Sequence, residues 1–288
     1  MEALGSAARR ALAVAGPATV SIGRDGRGSG LVVAAGLVLT NAHNLRDRTT
    51  TVTFADGRAE QGRAAGVDPD GDLALLGVDT ATTGSLGWSG AALEPGDVVF
   101  ALSRGPRGVR VSFGLVSAVD RAFRGPRGRL VHGSIEHSAP LARGSSGGPL
   151  LDSAGQLVGV NTHRFGDGFY LALAADADLR ARVDALAVGD APDRPRLGIA
   201  VAPAHVARRL RRAVGLPDRD GLLVRAVDAS GPAAQAGVRP GDLVVAVGGR
   251  AVTTADELHN VMESGPSSPL VVTVVRGVDE IALTADLT

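Results

Sequence analysis

Short apolar runs separated by glycine, aspartate and proline fill most of the first two thirds of the chain, and they read as strands. Such runs lie at 20–22, 30–40, 50–54, 73–78, 97–102, 110–119, 130–137, 157–162 and 169–173. Ala55-Asp56-Gly57 and Asp152-Ser153-Ala154-Gly155 have the make-up of hairpin turns, with aspartate to start the turn and glycine to supply positive φ. Many strands at regular spacing with almost no helix predict a barrel or a sandwich. Residues 174–186 then change to the spacing of a helix. Gly189, Pro192 and Pro195 among charges predict a linker over 188–195.

A smaller pattern of mixed elements follows. It runs strand 197–201, basic helix 204–214, strand 222–227, short helix 232–236 opened by Pro232, and strand 243–247. A helix at 254–264, capped by Thr253 or Thr254, and a hairpin of 270–276 with 280–287 complete it. The expected organisation is therefore a mainly β domain at 1–187, a linker at 188–195 and an α+β domain at 196–288.

Composition acts mainly by exclusion. A chain of 288 residues that is 44% hydrophobic and 21% charged can bury two cores. Its 30 basic residues, all arginine, balance 30 acidic ones, so the net charge carries no nucleic-acid footprint. With no cysteine, disulfides, thiolate catalysis and cysteine-held metals are excluded, and neither metal nor cofactor is expected. No apolar stretch is long enough to span a membrane. The apolar run 11–16 is too short for a signal peptide, so the chain as written reads as cytoplasmic or as a mature form.

Candidate chemistry centres on Ser146 in Gly144-Ser145-Ser146-Gly147-Gly148-Pro149. Glycines let the backbone turn sharply and bring two N–H groups to one point, which an acyl-transfer serine needs for its oxyanion. His43 stands just past the apolar run 37–39. Asp72 opens the apolar run 73–76, with Asp68 and Asp70 as competitors. Asp72 is favoured because it adjoins that run, where a carboxylate can be held away from water. Chemistry assigns His43 as general base, Asp72 as the group that fixes its tautomer, and the N–H groups of Gly144 and Ser146 as the oxyanion hole. The other five histidines, 132, 137, 163, 205 and 259, read as surface or packing residues.

Taken together, these motifs resemble the trypsin-like Deg/HtrA family of serine proteases. The resemblance is carried by Gly28-Ser29-Gly30, Thr40-Asn41-Ala42-His43, Phe54-Ala55-Asp56-Gly57 and Asp68-Pro69-Asp70-Gly71-Asp72-Leu73-Ala74-Leu75. Gly114-Leu115-Val116-Ser117, the run from Gly144 to Leu150, and Gly159-Val160-Asn161-Thr162 continue it. It implies a chymotrypsin-like pair of six-stranded β-barrels with the triad in the cleft between them. The C-terminal part resembles a PDZ domain, through Arg196-Leu197-Gly198-Ile199 and through Ala229-Ser230-Gly231-Pro232-Ala233-Ala234-Gln235-Ala236-Gly237-Val238-Arg239-Pro240-Gly241-Asp242. That implies a peptide C-terminus added as a strand beside Ile199, Ala200 and Val201. Its carboxylate would lie in the loop of Arg196, Leu197 and Gly198, and its last side chain against Leu258 and Val261.

The resemblance implies an endopeptidase acting on unfolded or misfolded protein, often assembled as a homotrimer and mostly found in the cell envelope. Ser138, Ala142-Arg143 and Ser145 depart from the family pattern before Ser146. Those departures keep a second expectation open, a catalytically silent or peptide-gated binding or chaperone protein on the same fold. Pro140, six residues before Ser146, cannot select a basic side chain as an acidic residue would. With Val160, Asn161, Thr162 and Leu171 as walls, the expected pocket takes small or medium aliphatic residues.

Overall fold

The computed structural model describes residues 2–89, 91–125, 130–166, 168–189, 196–264 and 269–287. Two compact units divide the chain, Met1–Pro192 and Asp193–Thr288. Most of the linker expected at 188–195, namely 190–195, lies outside the described residues.

The first unit is two closed barrels of six strands each. Barrel one contains β1 (Thr19–Ile22), β2 (Gly28–Ala34), β3 (Leu37–Thr40), β4 (Thr49–Thr53), β5 (Ala59–Asp68) and β6 (Leu73–Gly77), in the order β1-β2-β3-β6-β5-β4. Barrel two contains β7 (Val98–Gly105), β8 (Gly108–Arg124), β9 (Leu130–His137), β10 (Pro149–Leu151), β11 (Leu157–Phe165) and β12 (Phe169–Ala174), in the order β10-β11-β12-β9-β8-β7. Closure removes every sheet edge and points alternate side chains inward. Val20, Ile22, Leu31, Leu39, Leu75 and Phe100 are fully buried as a result. Both expected hairpin turns form, with Gly57 and Gly155 at positive φ.

Four features depart from the sequence expectation. A helix, α1 (Glu2–Ala15), opens the chain, since alanine pays the least to be helical. It packs Leu4, Ala7, Ala8 and Leu12 on the barrel core. Arg104, on β7 of barrel two, tethers the end of that helix by donating to Gly16 O and Thr19 O. The apolar run 30–40 is not one strand but the β2–β3 hairpin, broken where Gly36 takes φ +77°. β5 and β10 carry no long apolar run of their own, and barrel closure pairs them. The helix α2 (Ala177–Ala187), capped by the Asp176 side chain, closes the first unit against β5 and β6.

In the second unit the sheet runs β13 (Ile199–Ala202), β14 (Leu222–Val227), β15 (Leu243–Val247), β17 (Leu270–Arg276) and β18 (Asp279–Ala285), with β16 (Arg250–Ala251) paired to β15. Three helices accompany it, α3 (Ala204–Ala213), α4 (Pro232–Gln235) and α5 (Ala255–Glu263). Thr254 and Glu257 form a reciprocal capping box on α5. Arg276 forks onto Asp242, with Nε to Oδ1 and Nη2 to Oδ2 each 2.8 Å, and fastens the turn before β15 to β17.

Candidate active site

β3 ends at Thr40, and a single tight turn, Ala42–Asn44, presents His43. Asp72 precedes β6 with φ +54°, a left-handed backbone that aspartate tolerates better than most residues. Both of its carboxylate oxygens lie 2.9 Å from His43 Nδ1, and the His43 backbone N–H donates to Oδ1 at 3.1 Å. Thr162 Oγ1 donates to Oδ2 at 2.7 Å. Asp72 is only 1% exposed, and a buried carboxylate must be satisfied by such donors. Pairing Nδ1 with the carboxylate puts the ring proton there and leaves Nε2 as the acceptor. Of the three aspartates, Asp72 is the one whose carboxylate meets His43 Nδ1. Asp68 accepts from Arg182 Nη2 and from Gly71 N, 2.9 Å each, so its carboxylate is committed elsewhere.

Ser146 sits on the loop before β10, and both barrels hold that loop. Ser146 O accepts from Ser29 N at 2.8 Å and from Asn44 Nδ2 at 2.9 Å. Gly144 O accepts from Ser29 Oγ at 2.7 Å, while Gly147 N donates to Asn161 O at 2.7 Å. Such close approach explains the glycines. A Cβ on Gly144, at φ +84°, would stand 2.5 Å from Gly26 O, and one on Gly147, at φ +87°, 2.2 Å from Ser29 O. Neither the Gly144 nor the Ser146 N–H has an intramolecular acceptor among the described residues. Ser146 Oγ donates to Thr162 O at 3.0 Å and makes no hydrogen bond to His43 among the described residues. Thr162 therefore holds the serine with its carbonyl and the aspartate with its hydroxyl.

A second polar group lies under the loop. His137 is fully buried at the end of β9, with Nε2 3.1 Å from Asn161 Oδ1. Asn161 Nδ2 donates in turn to Gly148 O and Pro149 O, 3.1 Å each. Burial pushes the His137 imidazole down to about 4, against the smaller opposing effect of its bond to Asn161. It is neutral at pH 7, with Nε2 the donor.

Comparison with known proteins identifies both domains. Residues 28–160 match a trypsin-like peptidase domain, and residues 223–276 match a PDZ domain. HhoB of Synechocystis sp. is 33% identical over 269 residues, covering 88% of this chain and 64% of HhoB. The serine endoprotease DegS of Salmonella typhimurium is 31% identical over 279 residues, covering 91% of this chain and 76% of DegS. The chain belongs to the Deg/HtrA family of serine proteases. A solved structure of the HtrA-type protease AlgW with a tripeptide superposes with a TM-score of 0.58 at 26% identity, over 96% of this chain and 95% of that one. The chain spans just under two thirds of the length of HhoB.

Other residues singled out from the sequence of this Deg/HtrA chain fall in varied places. The five expected to wall a specificity pocket sit in different surroundings. Pro140 is exposed, and the small cavity beside it, about 130 Å³, is lined by Arg110, Ser112, Leu141 and Ser145 among others, and by none of Val160, Asn161, Thr162 and Leu171. Strand alternation turns Val160 and Leu171 into the barrel core, and Asn161 serves the loop contacts given above. The PDZ residues separate by environment. Leu197, Leu258 and Val261 are buried in the core of the second unit, Ile199 and Val201 are half-buried, and Arg196 and Ala200 are exposed. Gly198 takes φ +75°, and its carbonyl accepts from Asp228 N. Ser29, Asn44 and Thr162 were absent from the expected catalytic group. Ser29 and Thr162 do fall within motifs that carried the resemblance, and Asn44 directly follows one.

Proposed function

We propose that the chain is an endopeptidase of unfolded or misfolded polypeptides in which His43, Asp72 and Ser146 form the catalytic triad. The observation that carries the reading is Thr162, which joins Ser146 and Asp72 while Asp72 holds His43 Nδ1. In the reaction the Ser146 hydroxyl leaves Thr162 O and gives its proton to His43 Nε2 as Oγ attacks the scissile carbonyl. The oxyanion takes hydrogen bonds from the Gly144 and Ser146 amides. His43 protonates the leaving amine, and water then repeats the cycle on the acyl-enzyme.

β13 supports the PDZ part of the proposal. It pairs with β14 on one side only, so its other edge can take a peptide C-terminus as a further strand. Ser146→Ala should abolish cleavage of an unfolded protein such as casein; retained cleavage would remove Ser146 from the role. A second reading, peptide-gated activity, is favoured by the Ser146 hydroxyl resting on Thr162 O. Labelling of Ser146 by a fluorophosphonate, with and without a C-terminal peptide, separates the two. Equal labelling in both conditions counts against gating.

A further inference from the structure

Beside the oxyanion segment lies a cavity of about 660 Å³ with an unusual lining. Four loops build it: the β1–β2 turn at 25–27, Arg46 just after the His43 turn, the β7–β8 hairpin at 103–110, and Arg143-Gly144. Arg27, Arg46, Arg107, Arg110 and Arg143 all line it and are exposed, against a single acidic residue, Asp25. None of the five makes an ion pair among the described residues, whereas Arg58, Arg121, Arg182, Arg208, Arg212, Arg219 and Arg276 do. The guanidinium of Arg104, which also lines it, is turned inward to Thr19 O and Gly16 O. Five arginines less one aspartate leave four uncompensated positive charges here, in a chain whose net charge is zero.

Gly144 is part of the wall, so the cavity begins within reach of the scissile carbonyl. Arg46, three residues after His43, lines it too, and His43 hands its proton to the leaving amine, so the cavity lies on the leaving-amine side. A cleft of one sign with low-dielectric walls concentrates the opposite charge, and a guanidinium can fork onto a carboxylate. An extended chain covers about 3.3 Å per residue, so two or three residues beyond the bond reach about 7–10 Å from it.

We infer that this cavity selects substrates carrying aspartate or glutamate within about three residues on the leaving-amine side of the scissile bond. The inference rests on Ser146 and Gly144 acting as proposed above. Matched fluorogenic peptides, C-terminally amidated to keep them off the PDZ edge, would differ only at those residues: acidic, amide or basic. With the full chain, kcat/KM for the acidic peptide should exceed that for the amide peptide by about five- to twentyfold at low salt, and the ratio should shrink as salt rises. In the double variant Arg107→Gln, Arg110→Gln the acidic-to-amide ratio should fall several-fold. Binding of the same peptides to full-length Ser146→Ala, read by fluorescence anisotropy, repeats the comparison without turnover and should rank them in the same order. Equal kcat/KM and equal binding for acidic and amide peptides overturn the inference and leave the triad standing. Cleavage unaffected by Ser146→Ala would instead overturn the reading on which it rests.

Discussion

Acid should weaken this fold through one buried histidine, and the size of the effect follows from the structure. His137 is fully enclosed, stacked on Tyr170 with ring centroids 6.0 Å apart, and bonded to Asn161. In the unfolded chain it titrates near its ordinary 6.5; in the fold it is held down to about 4. Between those values the unfolded chain carries a proton that the native state refuses, so stability falls as pH drops from about 6.5 to about 4 and levels off below. At about 1.4 kcal/mol per pH unit, the full loss is roughly 3 kcal/mol. Urea unfolding of Ser146→Ala, which prevents self-digestion, can be followed by the fluorescence of the single tryptophan, Trp88. The comparison is His137→Gln on the same background, whose amide still donates to Asn161 without titrating. All other groups are common to the two proteins, so the difference between their stabilities isolates His137. That difference should change by roughly 3 kcal/mol in favour of the glutamine protein on acidification. Curves that stay parallel from pH 7 to pH 4 would refute the reasoning.

Two substitutions test the loop and its supports. Gly144→Ala forces a Cβ to within 2.5 Å of Gly26 O and must displace the Gly144 amide, so kcat should fall by about a hundredfold or more with little change in substrate binding. A normal kcat would mean that this amide does not hold the oxyanion. Thr162→Val removes the 2.7 Å donor to the buried Asp72 carboxylate but keeps the Ser146-accepting carbonyl. A charge-assisted bond of about 1.5–3 kcal/mol predicts roughly a ten- to hundredfold loss in kcat, with the fluorophosphonate reaction slowed alongside. An unchanged rate would reduce Thr162 to a packing residue.

Strand positions were legible where apolar runs met turn residues, as at 73–78 and 222–227, because those preferences act between near neighbours. β5 was invisible, since its run of Ala, Glu, Gln, Gly and Arg carries no apolar alternation and pairs only because the barrel must close. α1 was not legible although its alanines favour helix, because the face it buries is defined only by docking on the barrel, where Ala11 and Ala15 become fully buried. His43, Asp72 and Ser146 could be named from their local settings, an apolar strand beside each of the first two and glycines around the third. The preference for Asp72 over Asp68 was a matter of adjacency alone until Arg182, more than a hundred residues later in the chain, engaged Asp68.

The sequence by itself determined the two-domain order and the β-rich first half, and it supplied the candidates for acyl-transfer chemistry, because these depend on residue type and short spacing. Tertiary structure decided what surrounds them. It gave Thr162 its two partners, sent Val160 and Leu171 into the core rather than a pocket, and buried His137 away from protons. It also gathered Arg27, Arg46, Arg107, Arg110 and Arg143 around one cavity, a concentration that a net charge of zero conceals. Charge balance is a sum over the chain, whereas an electric field depends on distance, and only the folded barrels set those distances.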